Sequence, residues 1–173
     1  MIQISYQPAY DPYHTSLRML RLVSYGKSRI FRIGEIRIAD FFILFPHFLN
    51  EVRLAPGAQA KARKLGLLSP PAIYGEIPKP TVIFLHMEGI QQAALQTLCL
   101  QGFFDRDSFL EGRIRAGQRN LPDELRFFIT EKNSQDAVLL TFLFDNLLSF
   151  DFDGPDGIKA RTGLMEYRYD AVL

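Results

Sequence analysis

Apolar positions along the first third of the chain follow a helical period. Tyr13, Leu17 and Leu20 fall at i, i+4 and i+7, with Met19, Leu22 and Val23 widening the stripe and His14, Arg18 and Arg21 on the opposite face. Asp11-Pro12 just before them is a helix start, because Asp can cap free amides and Pro is pre-set for the first turn. After a break at Tyr25-Gly26, a second helix is expected from Glu35 to Phe45. It is apolar nearly all round, so it should be buried until Pro46 ends or bends it. Ala58 to Leu65 reads as a short basic helix before the Ser69-Pro70-Pro71 break. A third long helix runs from Val82 to Gln101, with Ile90, Ala93, Ala94, Thr97 and Leu98 on one face and Gly102 placed to stop it.

The period then changes to two. Leu110, Gly112, Ile114 and Ala116 alternate with Glu111, Arg113 and Arg115, which predicts a strand. With Phe103-Phe104 as its mate and Asp105 to Ser108 as the turn, it makes a β-hairpin. Three helices followed by a hairpin is the order of a winged-helix fold. From Asn120 the pattern returns to helix: Leu121, Leu125, Phe128 and Ile129, then a turn at Asn133-Ser134, then Gln135 to Leu148 apolar on most sides. The expected architecture is mainly α with a small β-hairpin. It is one domain over 1–173, winged-helix-like over about 10–119, with an added helical layer over about 120–173. The tail from Ile158 to Leu173 is amphipathic but too mixed to assign.

At 173 residues the chain can bury a full core without staples. Its single cysteine, Cys99, excludes an internal disulfide and any cysteine zinc cluster, and fits a reducing cytoplasm. Met1 to Ser5 shows no signal-peptide pattern, and the most apolar stretch, Ala137 to Phe152, is interrupted by Asp145 and Asp151, too short and too charged for a membrane span. The net charge of +1 hides an asymmetry. Residues 1–122 hold 15 Lys/Arg against 9 Asp/Glu, and residues 123–173 hold 5 against 10. Such a split suggests one face for an anionic partner and another for a basic one, or simply two unequally solvated faces.

Catalytic chemistry is hard to place. His14, His47 and His86 stand far apart, and none lies at i+3 or i+4 from another His or Cys, so no metal site is read. The Asp151 to Gly157 stretch departs from the EF-hand at its fifth, sixth and twelfth positions, which are Pro155, Asp156 and Thr162, and reads as a turn. No phosphate loop or nucleophile elbow is present, Cys99 lies in an apolar helix segment, and Glu88 reads as an exposed helical acid. The expectation is no enzyme activity, no cofactor and no small-molecule substrate. Arg113 and Arg115 on one face of the wing, with the Lys61, Arg63 and Lys64 cluster, are candidate contacts to a DNA backbone; Asp105, Asp107 and Glu111 in the same hairpin largely cancel its charge. On the helix from Gln135 to Leu148, Phe142, Phe144 and Leu147 are candidate partner contacts, since an all-round apolar helix is either central or covered by another chain.

Four stretches, in order along the chain, carry a family resemblance. They are Asp11-Pro12-Tyr13-His14 with Leu17 to Leu22; Ile36 to Pro46; Met87-Glu88-Gly89-Ile90-Gln91-Gln92-Ala93-Ala94-Leu95; and Ala160-Arg161-Thr162-Gly163-Leu164. In these the chain resembles the middle components of bacterial three-component ABC ATPase systems, the Lamassu-like anti-phage and anti-plasmid systems. The resemblance implies a small non-enzymatic subunit between an SMC-like ABC ATPase that senses DNA and a separate effector, often a nuclease. It offers no catalytic residues to transfer. The alternative is a stand-alone winged-helix transcription regulator, which needs a basic recognition helix. The candidate helix carries Gln91, Gln92 and Gln96 but no Lys or Arg between Gly89 and Gln101, which counts against it.

Overall fold

A computed structural model describes residues 8–72 and 75–165; the leader reading at Met1 to Ser5 and the tail beyond Met165 lie outside them. The described chain is mainly helical, with one two-stranded antiparallel sheet. Helix α1 spans Pro12–Gly26. Asp11 caps it, its carboxylate accepting from the His14 amide at 2.8 Å, as the Asp-Pro pair predicts. Strand β1 (Phe31–Arg32) leads directly into α2 (Ile33–Leu44), where the Arg32 amide donates to the Glu35 carboxylate at 2.7 Å. A 3-10 turn, Pro46–Glu51, follows, then the short α3 (Ala58–Lys64) and the long α4 (Pro80–Leu100).

Helix α2 is the centre of the fold, buried from Gly34 through Phe42. Helix α1 packs most extensively on α4 and also on α2. On the far side α6 (Asp123–Gln135) lies against α1, and α7 (Ala137–Asn146) against α2. Helices α6 and α7 therefore add Ile129, Leu140, Phe142 and Leu143 to the same core. Helix α8 (Ile158–Thr162) is the last helix of the described residues, and the Arg53 amide donates to the Arg161 carbonyl at 3.1 Å, tying α8 back to the segment between the Pro46–Glu51 turn and α3. Among the described residues no helix is long and apolar enough to cross a membrane.

The hairpin takes a different form from the expected one. Residues Arg106–Leu110 form a helix, α5, capped by Asp105, where a turn and the start of a strand were expected. Leu110 is exposed, and Gly112 adopts φ +77°, which ends the alternation before Arg113. Only Arg113–Ile114 remains as a strand, β2, and its partner is β1, with Phe31 opposite Ile114 and Arg32 opposite Arg113. The anticipated Phe104 mate survives as a single bridge to Ala116. Two-residue β1 escaped the sequence reading because it is too short for any period to show.

Two helix faces also differ from expectation. Tyr13 is exposed, while Arg18 and Arg21, assigned to the outer face of α1, are buried. On α4, Ala93 and Thr97 face outward, and the core side is Ile83, Phe84, Met87, Gln91, Ala94, Leu95 and Leu98.

Candidate functional site

The register of the small sheet gathers arginines. Arg32 and Arg113 are cross-strand partners, and with Arg29 they line an open cleft of about 690 Å3 between β1 and the segment from Leu148 to Asp153. Arg29 is held in place: its Nη2 donates to Glu35 Oε1 at 3.1 Å and to the Leu148 carbonyl at 2.7 Å, and its guanidinium lies over the Phe31 ring. Arg32 Nη1 donates to Asp153 Oδ2 at 2.5 Å. Lys159 on one side and Arg32 on the other hold the Asp153 carboxyl below its ordinary value, Lys159 being the larger influence. Arg113 is exposed. Asp151, Asp153 and Glu35 share the cleft, so its charge is nearly balanced.

Arg115 lies just beyond, paired with Asp105 at 3.1 Å. The Asp105 carboxyl is lowered mainly because it accepts from the Ser108 hydroxyl and amide, with Arg115 adding to the effect. Lys61, Arg63 and Lys64 sit elsewhere. All three are exposed on α3, which packs on the Pro46–Glu51 turn, and among the described residues none of them forms an ion pair. The sequence's two basic groups are thus mounted on separate elements.

The three partner-contact candidates fall mostly inside. Phe142 is 1% exposed and Leu147 fully buried, which makes both part of this chain's own core. Phe144 is half-buried, edge-on to Tyr25 with ring centroids 4.8 Å apart. The reason is that α2 fills one side of α7 while the β1 end of the fold fills another. The accessible apolar side chains of this layer are Phe127 and Phe128 of α6 and Val138 of α7.

Burial also raises the Cys99 thiol above its ordinary value, which suppresses the reactive thiolate. Glu88 is largely covered and is an ion-pair partner of Arg37 at 3.5 Å, where an exposed helical acid was expected. In the 151–157 turn, Asp153 is engaged by Arg32 and Lys159, and Asp156 by Arg53 and Arg161. Among the described residues no three His, Cys, Asp or Glu side chains converge as a metal site would require.

Residues 4–170 match the family model described as ABC-three component (ABC-3C) system Middle Component 5. The chain belongs to that family. No curated protein and no solved structure matches it. As a middle component it is one part of a system of several subunits.

Inside the apolar core of this middle component lie two buried arginine networks that sequence reasoning missed. Arg18 reaches Asp40 on α2, Gln91 of α4 donates to the same carboxylate at 2.9 Å, and Arg37 Nε donates to Gln91 Oε1 at 3.0 Å. Arg21 Nε donates to Asn133 Oδ1 at 2.9 Å, and its Nη2 bonds Asp136. A signal was available: Arg37 and Asp40 interrupt a helix already read as buried, and charges in such places must be paired.

Proposed function

We propose that this chain is a non-catalytic bridging subunit that joins an SMC-like ABC ATPase to an effector, often a nuclease, in a cytoplasmic bacterial defence complex of the Lamassu type. The observation that carries the reading is the family match over nearly the whole chain. The physical features fit it. Helices α2 and α6, from the two halves of the sequence, are tied to α1 by buried Arg18 and Arg21, and α4 is tied to α2 through Gln91, which favours a rigid spacer, while Phe127, Phe128 and Val138 supply an apolar contact area on the acidic C-terminal layer.

We also propose that the chain from α1 to β2 forms a winged-helix-like unit. Helix α1, strand β1, helices α2 and α4, the Phe104 bridge and strand β2 succeed one another in winged-helix order, with α3 inserted and α5 at the tip of the wing. Any DNA contact then runs through exposed Arg113, Arg115, Lys61, Arg63 and Lys64 to the phosphate backbone. A free-standing transcription regulator is disfavoured, because the outward face of α4 carries no charge to meet DNA.

Purification of the chain with the products of its neighbouring genes tests this. One complex containing ATPase, this chain and effector is expected, and omission of this chain should separate the other two. An ATPase and effector that bind each other equally well without it would overturn the bridging role. Charge reversal at Lys61, Arg63 and Lys64, or at Arg113, should weaken DNA binding by the complex on all sequences alike and flatten its salt dependence. Loss at one sequence only would contradict the backbone assignment.

A further inference from the structure

Helix α6 carries two stripes. Leu125, Ile129 and Asn133, each one turn after the last, face inward, and Asn133 is fixed there by hydrogen bonds with Arg21 in both directions. Glu124, Phe127, Phe128 and Glu131 stand at i, i+3, i+4 and i+7, so they share the opposite side. All four are exposed, Phe127 at 72% and Phe128 at 41%. Rolling the helix to hide them would break the Arg21–Asn133 bonds and bring Ile129 out of the core.

The spacing is the one by which a helix packs on a neighbour, and charge decides which neighbour. Glu124 and Glu131, two turns or about 10 Å apart along the axis, bracket the two phenylalanines. Among the described residues neither carboxylate forms an ion pair, whereas Asp123 beside the stripe is paired with Arg126. The Phe128 ring already attracts a cation, since Lys132 Nζ lies 5.9 Å from its centroid. A second copy of the stripe does not fit, because either helix direction sets carboxylate against carboxylate. Nucleic-acid phosphates and an anionic membrane meet the same repulsion. What fits is an apolar pair bracketed by cations.

We propose that this stripe docks an amphipathic helix of a partner protein with Arg or Lys at i and i+7 and apolar side chains at i+3 and i+4. The cations meet Glu124 and Glu131, their aliphatic stems lie along the rings, and the apolar pair covers Phe127 and Phe128. The inference rests on the bridging reading and adds to it the chemistry of one partner.

The test is a chemical-shift titration of the full chain with two synthetic helices. One has Arg at i and i+7 and Leu at i+3 and i+4; the other has Glu in place of both Arg. Amides around Phe127 and Phe128 shift with the basic helix and not with the acidic one. Phe127→Ala binds the basic helix at least about tenfold more weakly while its thermal melt is unchanged. Glu124→Lys combined with Glu131→Lys inverts the preference, so that the acidic helix binds instead, which a purely structural role would not produce. No shift on α6 at millimolar basic helix, equal binding of both helices, or a charge-reversed chain that keeps the original preference would each overturn the proposal. In the complex purified with the neighbouring subunits, the charge-reversed chain loses one subunit and keeps the other. Retention of both overturns the α6 site and leaves the bridging role standing; that role fails instead if ATPase and effector hold each other without this chain.

Discussion

Arg18 of α1 and Asp40 of α2 meet inside the protein, Arg18 Nε donating to Asp40 Oδ1 at 2.6 Å with both side chains almost wholly removed from solvent. Asp40 Oδ2 also accepts from Gln91, so one carboxylate joins α1, α2 and α4. Taking away one partner leaves the other charged, buried and alone, which costs about 3–5 kcal/mol. Asp40→Ala should therefore lower unfolding free energy by that order in urea titrations. Arg18→Met combined with Asp40→Leu should cost much less than the two single changes added together. A double variant no better than that sum would show that the two charges do not act as a unit.

The phenylalanines of the C-terminal layer divide by burial. Phe142 is core, and Phe142→Ala should cost about 3–5 kcal/mol. Phe127 is 72% exposed, and Phe127→Ala should leave the stability of the isolated chain within about 0.5 kcal/mol. Chemical denaturation of both variants, beside their retention by the neighbouring subunits, separates core from contact residue. Early melting of Phe127→Ala would remove it as a surface candidate.

The helices were legible because their apolar periods and end signals are local. Asp11-Pro12 places the start of α1, and the apolar run of α2 marks it as central. The polar interior was not legible, because the pairing of Arg21 with Asn133 or of Arg18 with Asp40 depends on which helices become neighbours. A charged face on a helix reads as solvated until its partner is known. The same limit applies to α7: Phe142 and Leu147 are buried in this chain's own core because α2 and α6 lie against that helix, and sequence alone does not distinguish such cover from a foreign chain.

His47 gives the fold a pH dependence. Its Nε2 is buried without a hydrogen-bond partner among the described residues, and burial pushes its pKa below the ordinary 6.5, with Glu51 opposing in part. Unfolding restores the ordinary affinity for a proton, so the unfolded state binds more protons as pH drops through 6.5. The stability contribution is fully present above that value and is lost as pH falls toward the folded pKa. Urea midpoints at pH 7 and pH 5 should differ more for the wild type than for His47→Gln. Equal differences would show that this ring plays no part.

Gly117 sits where no side chain fits. A Cβ there would lie 2.3 Å from the Gly102 carbonyl oxygen and 2.9 Å from the Phe104 backbone. The neighbouring backbone is tied down, since the Gly117 amide donates to Phe103 at 2.7 Å and the Arg119 amide to Gly102 at 3.1 Å. Gly117→Ala should destabilise by about 1–3 kcal/mol, the usual cost of overpacking, and open the Phe104–Ala116 bridge. Amide exchange at Asp105 and Gly117 reads the opening directly, and unchanged protection there would refute it.

Arg21 and Asn133 are 112 positions apart in the chain, yet the guanidinium bonds the Asn133 side chain and that same side chain bonds the Arg21 carbonyl. During synthesis the first helix leaves the ribosome long before its acceptors exist. The strand pairing of Phe31–Arg32 with Arg113–Ile114 imposes a similar delay. Long-range closure of this kind slows folding relative to helical proteins whose contacts are local. Nascent chains that stop short of Asn133 carry Arg21 without its acceptors and α1 without its α6 neighbour, so the polar interior of the first half is completed only when the last third has been made.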